Sequence, residues 1–403
     1  MDIKLPPGLT SRAVAFPTVF LDIHGLNIDD PAIQEEINDA LFRILCECHD
    51  AEIAGQALLK VHIGEPQVIT RMRAAYMTGS VRFLRHRGVE RIAAGDTTVA
   101  YTGPRGHREN PAGDASRYIT QARQHGWSRE GPAGVAFVVL DRPSSSAPTV
   151  YAFDAENAET EVHGINRFTD FFRAGGFAAA DFVVNHAHLT LHGLAGVAGC
   201  VKSLAMGCSA LKGKLRMHQS LRPRFDPEAC EQCGLCAESC PEGAIELGDG
   251  VPCPQVDSEL CIGCGECEAV CVHGAIRLEG EDITDWGRGE ATLPTRMADY
   301  VLGIMHGRWN TVINVLHMYT VTERCDCVNR RQKPMIQQDL GFLVGKNPFA
   351  IDLIASRMLR TALDEEGHTF EEPLLQSAET AAAYVRETYG ILSETPLETV
   401  SLR

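Results

Sequence analysis

Two cysteine runs in the middle of the chain constrain its structure more than any other feature. The first reads Cys230-Glu-Gln-Cys233-Gly-Leu-Cys236-Ala-Glu-Ser-Cys240-Pro241. The second reads Cys261-Ile-Gly-Cys264-Gly-Glu-Cys267-Glu-Ala-Val-Cys271. Both follow C-x2-C-x2-C-x3-C. Gaps of two residues let one tight loop present three thiolates to one face of an iron–sulfur cube, while the fourth cysteine opens the next helix and serves the other cube. One [4Fe–4S] cluster is therefore expected on Cys230, Cys233, Cys236 and Cys271. The other is expected on Cys261, Cys264, Cys267 and Cys240. The runs are an internal repeat offset by 31 residues: Asp226 matches Asp257, Glu228 matches Glu259, Gly234 matches Gly265, and Gly243-Ala-Ile matches Gly274-Ala-Ile. A pair of zinc knuckles is the competing reading, and eight cysteines in this doubled order speak against it. Val272 stands where a proline usually follows the fourth cysteine. Cys253, in Val251-Pro-Cys-Pro, falls outside the spacing and reads as structural.

This duplication resembles the two-cluster bacterial ferredoxin module. It spans about Arg222–Gly280, between Arg222-Pro-Arg and the acidic, Gly-containing stretch Glu279–Asp285. The expected organisation is an α/β body in two parts, 1–221 and 281–403, with the module at 222–280 inserted between them. Fifteen cysteines in a reducing compartment argue for ligation rather than disulfides. The net charge of −16, with no block of Lys or Arg, disfavours nucleic acid and anionic membrane. A small-molecule substrate and a basic redox partner protein suit it better. Met1 to Phe20 lacks the pattern of a signal peptide, and no apolar run is long enough to span a bilayer, so a cytoplasmic location is expected.

Around the module, strand-like and helix-like patterns alternate. Ala57–Ile63, Glu90–Ala94, Val135–Leu140, Phe182–Asn185 and Thr311–Met318 read as strands. Ile69–Arg87, Tyr118–Gln124, Pro294–His306, Ala350–Leu363 and Leu374–Tyr389 read as helices, and Asp141–Thr149 as a loop. Such alternation predicts a largely parallel sheet with helices packed on it, and ligands in such folds sit at the carboxyl ends of strands.

At one predicted strand end, Asp181-Phe-Val-Val-Asn185 runs into His186-Ala-His188-Leu-Thr-Leu-His192. Gly193-Leu-Ala-Gly196-Val-Ala-Gly199-Cys-Val-Lys202 follows, then Lys212-Gly-Lys214-Leu-Arg-Met-His218. Three histidines in seven residues can bind a metal or move protons. Glycines allow a ligand close to the backbone, and Lys202 can meet an anion or form a covalent link. The bland alternative is a structural turn with satisfied histidines and a solvated lysine. Asp96 with Arg105 follows another strand end. The pair could orient a substrate carboxylate through a bidentate clamp, or be a surface ion pair. Lys60 and His62 end the first strand, Lys60 as a cofactor-binding candidate; a buried, satisfied His62 is equally open. In Cys325-Asp326-Cys327, two thiolates one residue apart can share a metal, with Asp326 or His317 adding a ligand; otherwise they are small core residues. Cys46-Glu-Cys48 reads as helix packing.

Several of these segments, in this order, resemble the DUF362 family. They are Leu59-Lys60-Val-His62-Ile-Gly64-Glu65; Gly95-Asp96-Thr-Thr with Tyr101-Thr-Gly-Pro-Arg105; Asn185 to His218; Cys325-Asp326-Cys327; Asp339-Leu-Gly341; and Asn347-Pro348-Phe-Ala-Ile-Asp352. Members of that family often carry a ferredoxin insert, and most have Asp where Asn347 stands. The pattern His192-x3-Gly196-x2-Gly199-x2-Lys202, with His218 sixteen residues on, is also similar to that of the nickel-pincer lactate racemases. That resemblance implies a cofactor or substrate held by Lys202, a metal on His218 and acid/base work by His192; Gly196 and Gly199, which let backbone approach a ligand, are the further cofactor-binding candidates. Cys200 and Met206 depart from it. Three functions are therefore carried forward. The first is a redox enzyme whose clusters serve a pocket of His188, His192, Lys202, His218, Cys325 and Cys327, with an additional metal or small organic cofactor as an option. The second is a non-enzymatic electron carrier or maturation factor. The third is a racemase- or isomerase-like enzyme.

Overall fold

The computed structural model describes residues 17–101, 103–107, 109–111, 113–142, 153, 155–218, 222–240, 243–248, 250–258, 260–261, 267, 270–279, 293–368, 370, 372–391 and 395–402. The expectations for Cys264, for the first sixteen residues, for 143–149 of the predicted loop and for the acidic stretch beyond Glu279 lie outside the described residues.

Among the described residues the strands are β1 (Thr18–Asp22), β2 (Gln56–Lys60), β3 (Arg91–Asp96), β4 (Ala136–Val139), β5 (Ala158–Glu161), β6 (Asp170–Arg173), β7 (Phe182–His188), β8 (Thr190–His192), β9 (Gly196–Ala198), β10 (Arg222–Phe225), β11 (Ile245–Glu246), β12 (Gln255–Val256), β13 (Ile276–Glu279), β14 (Val312–Met318), β15 (Gly341–Gly345) and β16 (Leu397–Ser401). The α-helices are α1 (Pro31–Cys48), α2 (Thr78–His86), α3 (Ser116–Gln124), α4 (Gly175–Ala179), α5 (Cys200–Ala205), α6 (Leu211–His218), α7 (Leu235–Glu238), α8 (Leu293–Ile304), α9 (Pro348–Glu365) and α10 (Glu372–Tyr389).

One eight-stranded sheet, ordered β16-β1-β15-β14-β7-β2-β3-β4, organises the body. Neighbours from β14 to β4 run parallel, as do β16 and β1; β15 alone is antiparallel to both its neighbours. The fold class is thus mixed α/β with a mostly parallel sheet, as the alternation predicts. The central strands β2, β7, β14 and β15 are buried along their whole length, because helices cover both faces. Phe182 and Val184 of β7 point into the core shared with α1, α2 and α3, while Val183 points into the core shared with α5, α8 and α10. A third apolar cluster lies under α9.

Helix starts follow local chemistry. Asp30 accepts from the Ala32 N–H ahead of Pro31, and Asn347 accepts from Phe349 and Ala350 ahead of Pro348. Three predicted boundaries shift by more than two residues, one of them the strand expected over Ala57–Ile63, which ends at Lys60. The helix expected over Ile69–Arg87 is regular only from Thr78, after a 3-10 turn at Ala74–Met77. The Arg73 N–H instead donates to the Tyr319 hydroxyl, which pins that segment against the next layer. Strand β7 continues past Asn185 to His188, because β14 pairs with it up to His317↔His188. Cys46 and Cys48 lie in α1 and pack against the core, as read from sequence.

In the segment 222–279, β10 pairs antiparallel with β13, and β11 with β12. Arg222 faces Glu279, so the two ends of the segment leave side by side. No helix among the described residues is long and apolar enough to cross a membrane.

Candidate functional site

β2, β3, β7 and β14 are parallel, so their carboxyl ends open on one edge of the sheet, where a cavity of about 810 Å3 lies. Each strand end or the loop beyond it delivers part of the wall. β2 contributes Lys60, then His62 and Glu65; β3 contributes Asp96 and leads to Arg105. β7 brings His188 and, through β8, His192. The loop after β14 carries Arg324 to Asn329, while α5 and α6 supply Lys202, Lys214 and His218. The segments around Lys60, Asp96, His188, Lys202 and Cys325, far apart in the chain, thus converge on one cavity.

Its floor is a buried ionic network. Asp96 receives Lys60 Nζ at 3.1 Å, Arg105 Nη2 at 3.1 Å and the Tyr118 hydroxyl at 2.8 Å. Burial works to raise the Asp96 pKa, but Lys60 and Arg105 outweigh it and hold this carboxyl well below the usual range. Arg105 also donates through Nη1 to Glu65 at 2.8 Å and to Tyr101 at 3.3 Å, and through Nε to Tyr118 at 3.0 Å; His62 Nδ1 lies 3.0 Å from Nη2. Four of the five guanidinium N–H groups are taken by Glu65, Tyr101, Tyr118 and Asp96, and the fifth faces His62 Nδ1, which also lies 3.2 Å from Asp96 Oδ2. Arg105 and Asp96, 2% and 3% exposed, are therefore not a surface pair. The expected clamp on a substrate carboxylate is also corrected, since the Arg105 donors are turned into the wall toward Glu65, Tyr101, Tyr118 and Asp96.

His188 is corrected likewise. Nδ1 lies 2.7 Å from Asp326 Oδ2, and Nε2 lies 2.7 Å from the Tyr319 carbonyl. Burial pulls its pKa down, but the carboxylate and the carbonyl prevail and the value is raised; both ring nitrogens face acceptors and donate to them. With both nitrogens occupied it has nothing to offer a ligand. Its work is to hold the Asp326 turn.

His192 differs. Its Nδ1 accepts the N–H groups of Leu194 and Ala195, both at 3.1 Å, so the ring is neutral with its proton on Nε2. Burial and then the nearby Lys202 push its pKa down to about 3. His218 is pushed down to about 4 for the same two reasons. Lys202 Nζ donates to Cys325 Sγ at 3.2 Å, and the Cys327 N–H reaches the same sulfur at 3.2 Å. Burial would raise the Cys325 thiol, but the hydrogen bond with Cys327 and the Lys202 ammonium hold it well below the usual range. Cys327, bonded to that thiolate and buried, is raised. The solvated-lysine reading of Lys202 fails on this geometry.

Gly196 faces away from the cavity. It adopts φ +70°, and a Cβ there would sit 2.1 Å from Ser377 Oγ on α10. Gly199 lies in the wall, but its missing side chain serves Asp352, which would stand 2.3 Å from a Cβ. Asp352 in turn accepts the first N–H groups of α5, from Cys200 at 2.7 Å and Val201 at 2.9 Å, and so fixes the helix that carries Lys202. His317 does not reach the cysteines: its Nε2 pairs with His186 Nδ1 at 2.9 Å in the core beside Tyr76 and Phe342. Among the described residues no three His, Cys, Asp or Glu side chains converge as a single metal ion would require. Of the two thiols on this turn, Cys325 faces the Lys202 ammonium.

Sequence reasoning gave no role to Lys214 or Arg324. Lys214 donates to Thr97 Oγ1 at 2.6 Å and to the Thr98 carbonyl, and burial pushes it down to about 8. His62 Nε2, His218 Nδ1 and Asp326 Oδ1 are buried without a partner, and all three residues line this cavity. Orphaned polar atoms around one space fit a polar ligand.

The cysteine segment has its own geometry. Cys230, Cys233, Cys236 and Cys271 line one small cavity together with Phe225, Ile276 and the chain from Glu231 to Leu235. The 31-residue repeat reappears in the backbone. Asp226 N donates to Ala275 O and Asp257 N to Ala244 O, both at 2.8 Å, so each half pairs with the other. Cys240 Sγ accepts from Ala244 N at 3.2 Å, and Cys271 Sγ from Ala275 N at 3.3 Å. The described cysteines are free of disulfides. A cube needs thiolates standing around a space rather than meeting at a point, so this donor set suits a cluster.

No curated protein matches the chain. The profile of the family described as Domain of unknown function (DUF362) matches residues 57–357, well over half of the sequence. That span begins in β2 and ends within α9, and it takes in every wall of the large cavity. The chain belongs to the DUF362 family.

Proposed function

We propose that this is an iron–sulfur redox enzyme acting on a small molecule in the 810 Å3 cavity. Two [4Fe–4S] clusters would be held by Cys230, Cys233, Cys236 and Cys271, and by Cys261, Cys264, Cys267 and Cys240; when bound they would supply one-electron transfer. The observation that carries this reading is the first quartet, in which three cysteines of one run and the fourth of the other line a single cavity. Around the substrate, His192 holds an exchangeable proton at Nε2, and Cys327 and Lys202 together favour the Cys325 thiolate. The Asp96–Arg105 network fixes the floor. A non-enzymatic electron carrier would have no use for this wall of oriented polar groups. The racemase- or isomerase-like reading draws on one observation: His192, Lys202 and His218 share the cavity. The redox partner would be a basic protein, given the net charge of −16.

Protein purified without oxygen should contain about eight iron and about eight labile sulfide per chain, with the electron paramagnetic resonance of reduced cubane clusters. Stoichiometric zinc without sulfide would overturn the proposal.

A further inference from the structure

The cavity is cationic in an acidic protein. Five of its lining residues are Lys or Arg and three are Asp or Glu, whereas the chain carries −16 overall. Most of these charges are matched inside the wall. Lys60 and Arg105 meet Asp96 and Glu65, His188 meets Asp326, and Lys202 meets Cys325. Two cations remain. Lys214 rests on neutral oxygens of Thr97 and Thr98. Arg324 has no side-chain hydrogen bond or ion pair among the described residues, yet its backbone is fixed at both ends. Its N–H donates to Gln332 Oε1 at 3.0 Å, and its carbonyl accepts from Gln332 Nε2 at 3.0 Å and from Thr322 Oγ1 at 2.7 Å. The guanidinium lies over the Gly193 turn, where a Cβ would stand 3.0 Å from Nη1, so glycine leaves it room. It is one residue from the Cys325 sulfur and close enough to His192 to help depress that ring's pKa.

An anchored backbone, an unspent planar fork of N–H donors and a surplus of positive charge in a space of small-molecule size form an oxyanion receptor. We infer that the cavity binds a small oxyanion-bearing substrate, a carboxylate or a phosphoryl compound, with its anionic group on Arg324 and its reacting part toward Cys325, Lys202 and His192. The inference rests on the large cavity being the substrate site but not on the clusters. It moves anion recognition from Arg105, whose donors are turned into the wall, to Arg324, whose donors are not.

Isothermal titration with malonate, malonamide and inorganic phosphate tests this on the intact, cluster-loaded protein. Saturable binding of malonate or phosphate is expected, with malonamide, which has no charge, at least tenfold weaker than malonate. The tighter of the two anions assigns the group as carboxylate or phosphoryl. Arg324→Ala should weaken anion binding about ten- to a hundredfold, the usual effect of losing hydrogen bonds to a charged group, and Arg324→Lys should restore part of it. Arg324→Gln serves if the alanine variant does not fold. Absence of saturable anion binding, or binding unchanged in the Ala and Gln variants, overturns the inference. Iron and sulfide analysis of the same samples separates that outcome from failure of the cluster proposal.

Discussion

Individual side chains in the cavity are set by what their neighbours leave unbalanced. The Cys325 thiol is held low by its hydrogen bond with Cys327 and by the Lys202 ammonium 3.2 Å away. Lys202→Met should therefore raise the Cys325 pKa and lower its alkylation by iodoacetamide at neutral pH by about tenfold or more, since each pKa unit changes the thiolate fraction about tenfold. Peptide mass mapping across a pH series reads this directly, and an unmoved profile would show that Lys202 does not sustain the thiolate. His188 and Asp326, 2% and 1% exposed, make a buried pair. Asp326→Asn should cost about 3–5 kcal/mol, because it strands a buried imidazolium. The sign with pH follows from the raised His188 pKa: the pair's contribution is complete below the ordinary histidine range and is lost as pH rises through the raised value. Urea unfolding should show the gap between wild type and variant widest below about pH 6 and narrowing as the medium becomes alkaline. A gap that widened with pH would refute the assignment. At this scale the sequence marked residues that the structure places around one cavity, His192, Lys202, His218 and Cys325 among them. It misled at Arg105 and His188, whose valences are filled by Glu65, Tyr118, Asp326 and Tyr319 from other parts of the chain. Arg324 stayed hidden because its significance lies in contacts it does not make.

Elements were legible where apolar periodicity is strong. The parallel strands β2, β3, β4, β7 and β14 each overlap a predicted run, while α9, read from Ala350, begins at Pro348. Strand order was not legible, nor was the antiparallel insertion of β15 between β1 and β14, because pairing over hundreds of residues leaves no local pattern. The end of β7 was misplaced for a related reason: His186 and His188 continue a strand only because β14 is there to pair with them. The cysteine repeat was the most legible element, since its 31-residue offset returns as paired hydrogen bonds from Asp226 and Asp257. It makes a discriminating prediction. Cys271 lines the cavity of the first triplet, whereas Cys253 does not. Cys271→Ala should therefore cut iron and sulfide to about half, by loss of one of two four-iron clusters, while Cys253→Ala leaves both unchanged. Equal losses would mean that the cysteines are not assigned as drawn.

For the whole molecule, the decisive relation is between the cysteine segment and the sheet it interrupts. β10 and β13 enter and leave as an antiparallel pair, Phe225 opposite Ile276 and Arg222 opposite Glu279. Opposed residues of such a pair stand only about 5 Å apart, so a two-residue turn can close the gap. The segment also has its own small apolar centre, from Cys236, Ile245, Cys267 and Ile276, separate from the clusters that hold the body. Replacing 226–275 with Asn-Gly should therefore leave a body that unfolds cooperatively and retains the low alkylation pKa of Cys325, because every wall of the large cavity comes from outside that span. Iron and sulfide should vanish altogether. If the shortened chain fails to fold, or if Cys325 loses its reactivity, the segment is part of the cavity's architecture, and electron supply and substrate chemistry are not separable in this protein.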